Sequence, residues 1–315
     1  MAEQTNTNLL IDIAQDFYIN QLTIADISTK YQVSRYMISK YLDEALAQNI
    51  VSISIRSPFA RNQELERQLA AVNPGHHFYV LANAEQSNND ADRFYSFAAQ
   101  TVQNLINPLK IIGLSWGDTV YNVIEHFKPT VKEQLIFTQF MGENGKYNSL
   151  AGSMRMVQKA ANKYNSHYST LNAPLYIIND QVRQLLSLEP AIQPTLTTAR
   201  QMDLILTTLG TIESLESIPS WQESLVALFP NLNRKEVAGF LYGRPFNHAG
   251  QFLINPIADK TFGLAIDSIL QVPIRVAVVN NKFKSHAVAA ALRGNFLTDL
   301  VLDEPTATKI LAIHN

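Results

Sequence analysis

The pattern of apolar positions changes character once along the chain. Over residues 9–19 (LLIDIAQDFYI), Leu9, Leu10, Ile13, Ala14, Phe17 and Tyr18 recur at helical spacing, which predicts a helix with one buried face. A second helix is predicted from Thr23 to about Tyr31, because Thr23-x-x-Asp26 has the form of a capping box with a carboxylate in the positive first turn. A tight turn at Gln32-Val33 follows, and Ser34 caps a third helix to about Gln48. The segment IVSISIR at 50–56 alternates apolar and polar residues and predicts a short strand. Pro58 breaks that alternation, so a first domain is placed at 1–57 and a second at 58–315.

Beyond Pro58, a linker helix is predicted at 60–72, with Leu65 and Leu69 on one face. Short apolar runs then alternate with helical stretches. Strands are predicted at FYVL (78–81), KIIGLS (110–115), LIFTQF (135–140), DLILTTLG (203–210), IRVAVVN (274–280) and DLVLD (299–303). Helices are predicted near 91–106, 118–127, 149–163, 220–229, 283–293 and 304–313. Strands with helical crossovers define an α/β class, a doubly wound and mostly parallel sheet with helices on both faces. Residues 164–200 have too weak a periodicity to assign.

Composition narrows the functional class. The 315 residues suffice for about two domains, and a 46% hydrophobic share supports a buried core. Absence of cysteine excludes a disulfide scaffold, an Fe–S cluster, a thiolate zinc site and a cysteine nucleophile. The polar start MAEQTNTN lacks a signal-peptide layout, and no apolar run nears the roughly 18 residues that span a bilayer. A cytoplasmic location without a membrane partner is therefore expected. A net charge of -2 with 17% charged residues excludes a strongly basic nucleic-acid binder at the level of bulk charge.

TIADISTKYQVSRYMISKYLDEAL (23–46) nonetheless has the layout of a helix-turn-helix. Ile24, Ile27, Tyr31, Val33, Ile38 and Leu42 fit the small core that holds two short helices at a fixed angle. The second helix of such a pair offers polar side chains to the major groove from its N-terminal turns. Ser34, Arg35, Tyr36, Ser39 and Lys40 occupy those positions, where Arg suits guanine and Lys and Ser suit phosphate. The blander alternative is a three-helix bundle for dimerisation or protein binding. Gln32 stands where such motifs usually carry Gly, and a left-handed backbone there costs about 1–2 kcal/mol. Through Arg61 the bases are Lys30, Arg35, Lys40, Arg56 and Arg61, against Glu3, Asp12, Asp16, Asp26, Asp43 and Glu44. One copy therefore has little electrostatic grip, and useful affinity calls for two or more copies on one site.

KIIGLSWGDTVYNVIEHF (110–127) reads as a strand, a Gly-bracketed loop and a helix. Gly113 and Gly117 allow close backbone approach, Ser115 and Thr119 supply hydroxyls, and the helix N-terminus supplies free N–H groups, which together suit a phosphate. The plain alternative is a βα turn with small residues for steric reasons. Asp118 in the same loop either repels a phosphate or caps the helix.

Taken in order, the segments resemble the SorC family of bacterial sugar-binding transcriptional regulators. The resemblance runs through the helix-turn-helix at 23–42, GLSWGDT (113–119), TLGTIES (208–214), GFLYGRPFN (239–247) and LRGNFLTDLVLDEPTATKIL (292–311), and so spans most of the chain. It implies a C-terminal domain like the ribose-5-phosphate isomerase and glucosamine-6-phosphate deaminase fold. It also implies a small phosphorylated sugar as effector, with no other cofactor, and a homotetramer on operator DNA. The family's phosphate loop falls on Ser115, Trp116, Gly117, Asp118 and Thr119. A second loop falls on Gln139 to Gly142, with Glu143 where another Gly is usual, and a third on Gly210, Thr211 and Ile212. A Gly-Gly-x-x-Lys segment falls on Asn280, Asn281, Lys282, Phe283 and Lys284, keeping the Lys but not the glycines. These departures put side chains where backbone approaches the family's ligand, and so bear on which ligand is chosen.

Lys284, at a strand-to-helix junction with Lys282 and His286 beside it, is the cation expected at the effector, against the plainer reading of a solvated helix-end lysine. Arg244 in YGRPF is either a second phosphate or hydroxyl partner or a structural ion pair; Arg155 and Arg293 are weaker candidates. Asp267, Asp303 and Glu304 are carboxylates of the kind a sugar isomerase uses, yet none sits in a pattern tied to catalysis. His76 and His77 are adjacent, so on a strand they point to opposite faces and make a poor metal pair. The expectation is a non-enzymatic, sugar-phosphate-responsive regulator of a carbohydrate operon, a repressor or an activator according to operator position. The alternative is a sugar-phosphate isomerase or deaminase with an N-terminal helical interaction domain.

Overall fold

The computed structural model describes residues 2–48, 50–51, 59–83, 90–144, 152–213 and 219–314. The chain divides into two compact units, residues 1–58 and 59–315.

The first unit contains α1 (Ala2–Tyr18), α2 (Ile24–Tyr31) and α3 (Arg35–Ala47). The capping box forms: Asp26 N–H donates to Thr23 Oγ1 at 3.2 Å, and Thr23 N–H donates back to the Asp26 carboxylate at 3.2 Å. Gln32 ends α2 at φ 55° and ψ 37°, so the turn keeps the left-handed geometry without a glycine. Ser34 then accepts from Met37 N–H at 3.3 Å and starts α3. Ile13, Ile27, Ile38 and Leu42 are buried together, and half-buried Ile24, Tyr31 and Val33 pack around them. Most of the strand predicted at 50–56, and Pro58 itself, lie outside the described residues.

The second unit is built on β1 (His77–Leu81), β2 (Ile111–Leu114), β3 (Ile136–Thr138), β4 (His167–Ser169), β5 (Leu204–Thr207), a hairpin of β6 (Val237–Leu241) and β7 (Arg244–Asn247), then β8 (Ile274–Val279) and β9 (Asp299–Asp303). Its helices are α4 (Gln63–Val72), α5 (Asp90–Ile106), α6 (Asp118–Glu125), α7 (Ser153–Tyr164), α8 (Asp180–Leu186), α9 (Gln193–Ala199), α10 (Pro219–Leu228), α11 (Ile266–Leu270), α12 (Ser285–Arg293) and α13 (Glu304–His314). Among the described residues, seven strands form one parallel sheet in the order β1-β9-β8-β5-β2-β3-β4. Alternate residues feed two apolar layers. Leu204, Leu206, Val276, Val278 and Val301 pack with α5, α6 and α7, while Ile205, Ala277, Val279, Leu300 and Leu302 pack with α4, α9, α10, α12 and α13. Burial on both faces explains why these strands read as nearly continuous apolar runs.

Three sequence expectations need correction. Residues 60–62 are not helical: Arg61 bridges to Leu81, and Asn62 caps α4 by accepting from Leu65 N–H at 3.0 Å. Leu65 and Leu69 are buried in the second unit's core, so α4 belongs to that unit and is not a linker. The hairpin was not predicted; Tyr242 and Gly243 turn it with φ 53° and 74°.

From β2 the chain winds outward through β3 and β4. It then returns to the other side of β2 with β5 and winds the opposite way through β8 and β9. The reversal falls between β2 and β5, and ligands of open parallel sheets bind outside the carboxyl ends of the strands at such a point.

Candidate functional site

The loop after β2 lies at this reversal. Ser115 N–H donates to Leu206 O at 3.0 Å, and Ser115 Oγ donates to Thr207 Oγ1 at 3.0 Å. These bonds tie the ends of β2 and β5 together and bury Ser115, whose hydroxyl proton is thereby committed within the protein. Gly117 follows at φ +120°, where an L side chain is strained, and an added Cβ would lie 3.3 Å from Thr208 Cγ2. Gly117 is the N-cap of α6 and gives it no side-chain cap. The first N–H groups of α6 therefore carry the helix's positive end toward the carboxyl edge of the sheet. Asp118 is exposed and Thr119 half-buried on the first turn. Trp116 packs against both apolar layers and meets Trp221 edge-on, with ring centroids 6.4 Å apart.

On the other side of β5, β8 ends and leads to Lys284. Asn281 caps a 3₁₀ turn over Lys282–Lys284 by accepting from Phe283 N–H at 2.9 Å. Asn280 Nδ2 donates to the Tyr95 hydroxyl at 3.4 Å. The Asn281 amide thus serves the loop's own structure, while that of Asn280 ties the end of β8 to α5. Burial lowers the Lys284 ammonium pKa from its usual 10.5, and the Asp118 carboxylate opposes that shift. Lys284 and the first turn of α6 therefore act on each other electrostatically. A partly desolvated ammonium near a helix N-terminus attracts an anion.

Other predicted residues are committed elsewhere. Gly210 pairs both its N–H and its C=O with Phe240 at 2.9 Å, and Gly142 N–H donates to Phe262 O at 3.0 Å. Neither glycine N–H is left to donate to a ligand. An added Cβ on Gly142 would come 2.3 Å from Pro174 O, so this glycine serves close backbone packing. Arg244 is 1% exposed and donates to Asp259 at 2.8 Å, Tyr242 O at 2.9 Å and Leu264 O at 3.1 Å. Its enclosed guanidinium makes a structural ion pair instead of an effector contact. Arg293 donates to His248 O at 2.9 Å, and Glu304 accepts from Asn83 N–H at 2.7 Å. Among the described residues no group of three or more His, Cys, Asp or Glu could hold a metal ion.

The sequence reading missed how Glu143 is held. Its carboxylate accepts from Asn144 N–H and Ser153 N–H at 3.2 Å each, Ser153 Oγ at 3.0 Å and Met154 N–H at 2.9 Å. It caps α7, whose own N-cap, Gly152, has no side chain to do so. Nothing in the sequence spacing of Glu143 and Ser153 announces this, because it matches no capping pattern.

In the first unit, Arg35, Tyr36 and Lys40 are exposed at the start of α3. Ser34 is engaged as the cap, and Ser39 Oγ donates to Arg35 O at 3.3 Å. Lys30 is not available in the same way: it bonds buried Asp16 at 2.6 Å, alongside the Tyr31 hydroxyl at 2.8 Å and Asn20 Nδ2 at 3.0 Å. The bond from Lys30, then those from Asn20 and Tyr31, lower the Asp16 pKa below 3.8. Arg61, in the second unit, is bidentate to Glu66 at 2.8 Å.

A helix-turn-helix and a separate parallel α/β unit whose strand reversal brings a glycine-capped helix start beside the end of β8 are the parts of a ligand-responsive transcriptional regulator. The family model described as "Putative sugar-binding domain" matches residues 57–312. The transcriptional regulator LsrR of Escherichia coli (strain K12) is 25% identical over 306 residues, covering 95% of this chain and 93% of its own. LsrR of Enterobacter sp. (strain 638) is 23% identical over 98% of this chain and 94% of its own. The full-length sorbitol operon regulator SorC from Klebsiella pneumoniae superposes with a TM-score of 0.68 at 23% identity, over 96% of this chain and 98% of its own. A DeoR family transcriptional regulator from Listeria monocytogenes gives 0.67 at 21% identity, over 79% of this chain and 98% of its own. The chain belongs to the SorC family of sugar-binding transcriptional regulators. Its relatives are regulators and not enzymes, which sets aside the isomerase or deaminase alternative. No helix among the described residues is long and apolar enough to cross a membrane.

Proposed function

We propose that this chain is an oligomeric regulator of a carbohydrate operon whose effector is a small phosphorylated sugar. Residues 1–57 read double-stranded operator DNA, and residues 58–315 bind the effector and assemble the oligomer. The observation that carries the effector reading is the start of α6 at the β2/β5 reversal, where the N-cap Gly117 at φ +120° leaves the first turn without a side-chain cap and Lys284 follows the end of the neighbouring β8. A phosphate there accepts from the N–H groups of Gly117 to Thr119 and the Thr119 hydroxyl, and its charge pairs with Lys284. Trp116 supplies an apolar wall for the sugar. On DNA, Arg35 addresses a base edge, Lys40 a phosphate, and Tyr36 makes apolar contact in the groove.

Binding regulates only if the effector favours one oligomer geometry, and typical couplings are about 1–3 kcal/mol. The test is a gel shift with the DNA upstream of the protein's own gene. It is run with and without ribose 5-phosphate, fructose 6-phosphate and glucosamine 6-phosphate, and with the unphosphorylated sugars. A specific band that responds to one phosphate ester, and not to its parent sugar, is expected. No specific binding under any condition sinks the DNA assignment. Response to the parent sugar alone sinks the phosphate. Lys284→Ala is expected to weaken effector binding roughly tenfold or more, with apo operator binding intact. Unchanged effector affinity would remove Lys284 from the site.

A further inference from the structure

We infer that Glu143 is a specificity-determining residue: its carboxylate fills one of two neighbouring helix N-termini at the crevice and so limits the effector to a single anionic group. The inference rests on the reading that a phosphate binds at α6.

β2 and β3 are adjacent and parallel, so α6 and α7, which follow them, both present their N-termini at the carboxyl edge of the sheet. Each starts after a glycine N-cap that gives no side-chain hydrogen bond. Neither cap residue can satisfy the first N–H donors of its helix, so both ends present positive potential, the feature that draws an anion. They differ in what meets them. At α7 the Glu143 carboxylate already accepts from Ser153 N–H at 3.2 Å and Met154 N–H at 2.9 Å, the donors that would otherwise take a phosphate oxygen. Ser153 Oγ also donates to Glu143, at 3.0 Å, and accepts from Gln139 Nε2 at 2.6 Å. Gln139 is itself fixed by Leu171 N–H at 2.7 Å. Gln139 is 0% and Ser153 1% exposed, so the carboxylate is seated on a buried, hydrogen-bonded base and is not a loose surface group. At α6 no side-chain cap is made by Gly117, and the one carboxylate of its first turn, Asp118, is exposed. A ligand with one phosphate at α6 is accommodated. A second phosphate directed at α7 meets a fixed negative charge and finds its donors occupied.

The test is isothermal titration calorimetry of the full chain with ribose 5-phosphate, fructose 6-phosphate and glucose 6-phosphate, each beside its 1,5- or 1,6-bisphosphate. The proteins are wild type, Glu143→Gln and Glu143→Ala. Wild type is expected to bind a monophosphate at least about tenfold more tightly than the matching bisphosphate. In the Glu143 variants the bisphosphate gains roughly tenfold, and the monophosphate stays within about threefold. Glu143→Gln removes the charge with little change of shape, and so decides the matter if Glu143→Ala does not fold. Wild type that takes a bisphosphate as tightly as the monophosphate overturns the inference. So do variants that lose both ligands equally, because Glu143 is then only a structural cap. If no phosphate ester binds wild type while a neutral sugar does, the fault lies with the phosphate reading itself.

Discussion

Asp16 holds α1 against α2 by accepting from Lys30, Tyr31 and Asn20, and these donors lower its pKa. The unfolded chain therefore takes up a proton on Asp16 before the folded one does. Its stabilisation is complete above the ordinary value of 3.8 and is lost as pH falls below that through the lowered pKa. Asp16→Asn should lower the thermal midpoint of the first unit and flatten acid unfolding below 3.8, followed by circular dichroism. An identical acid limb in both proteins would remove Asp16 from the account. Lys284 titrates in the other direction. Its pKa lies below 10.5, so its ammonium loses the proton early as pH rises, and effector affinity should fall on that alkaline limb. Lys284→Ala should lack the limb; a variant that keeps it assigns the titration elsewhere. The sequence showed which residues carry donors but not where their acceptors lie. Arg244 and Gly210 were legible as types, yet Asp259 and Phe240, which engage them, come from distant segments.

At the scale of elements, β1, β2, β5, β8 and β9 were legible because burial on both faces makes them uniformly apolar. β4 was not, since an edge strand of three residues with His167 and Tyr168 exposed has no such signal. The β6–β7 hairpin was hidden by its turn: Tyr242 adopts a left-handed backbone where the usual cue is Asn or Asp before Gly. The loop from β3 to Glu143 depends on a position where packing admits no side chain. At Gly142 a Cβ would lie 2.3 Å from Pro174 O and 2.7 Å from Ala173 O, both backbone atoms that cannot swing aside. Gly142→Ala should cost about 1–3 kcal/mol in urea unfolding by overpacking this crossing. A change within about 0.5 kcal/mol would mean the loop can move, and would weaken the case for a rigid Glu143.

For the molecule as a whole, the helix-turn-helix and the parallel sheet class followed from periodicity and from resemblance, whereas the order of strands did not follow from periodicity. Order depends on which edge each crossover takes. Of the five bases counted through Arg61, fewer are free to meet DNA than the count suggests, because Lys30 and Arg61 are ion-paired. Arg35 and Lys40 remain on α3, and Arg56 lies outside the described residues. With Lys40 on phosphate and Arg35 on a base edge, as proposed, the log–log salt slope is about −1 per subunit and about −2 for a bound dimer. Fluorescence-free filter binding across a salt series checks this. A monomer that binds operator tightly with a steep slope would contradict the need for more than one copy.

The meeting of Trp116 with Trp221 has a spectroscopic consequence. The chain has two tryptophans, and both stand at one end of the sheet, 6.4 Å apart. Excitation that spares tyrosine therefore lights this end of the second unit alone, while the first unit stays dark. On the proposed reading, emission from this pair reports effector binding without a background to subtract. An operator that changes that emission does so only by acting from one unit on the other, which makes the native protein its own optical gauge of the coupling between them.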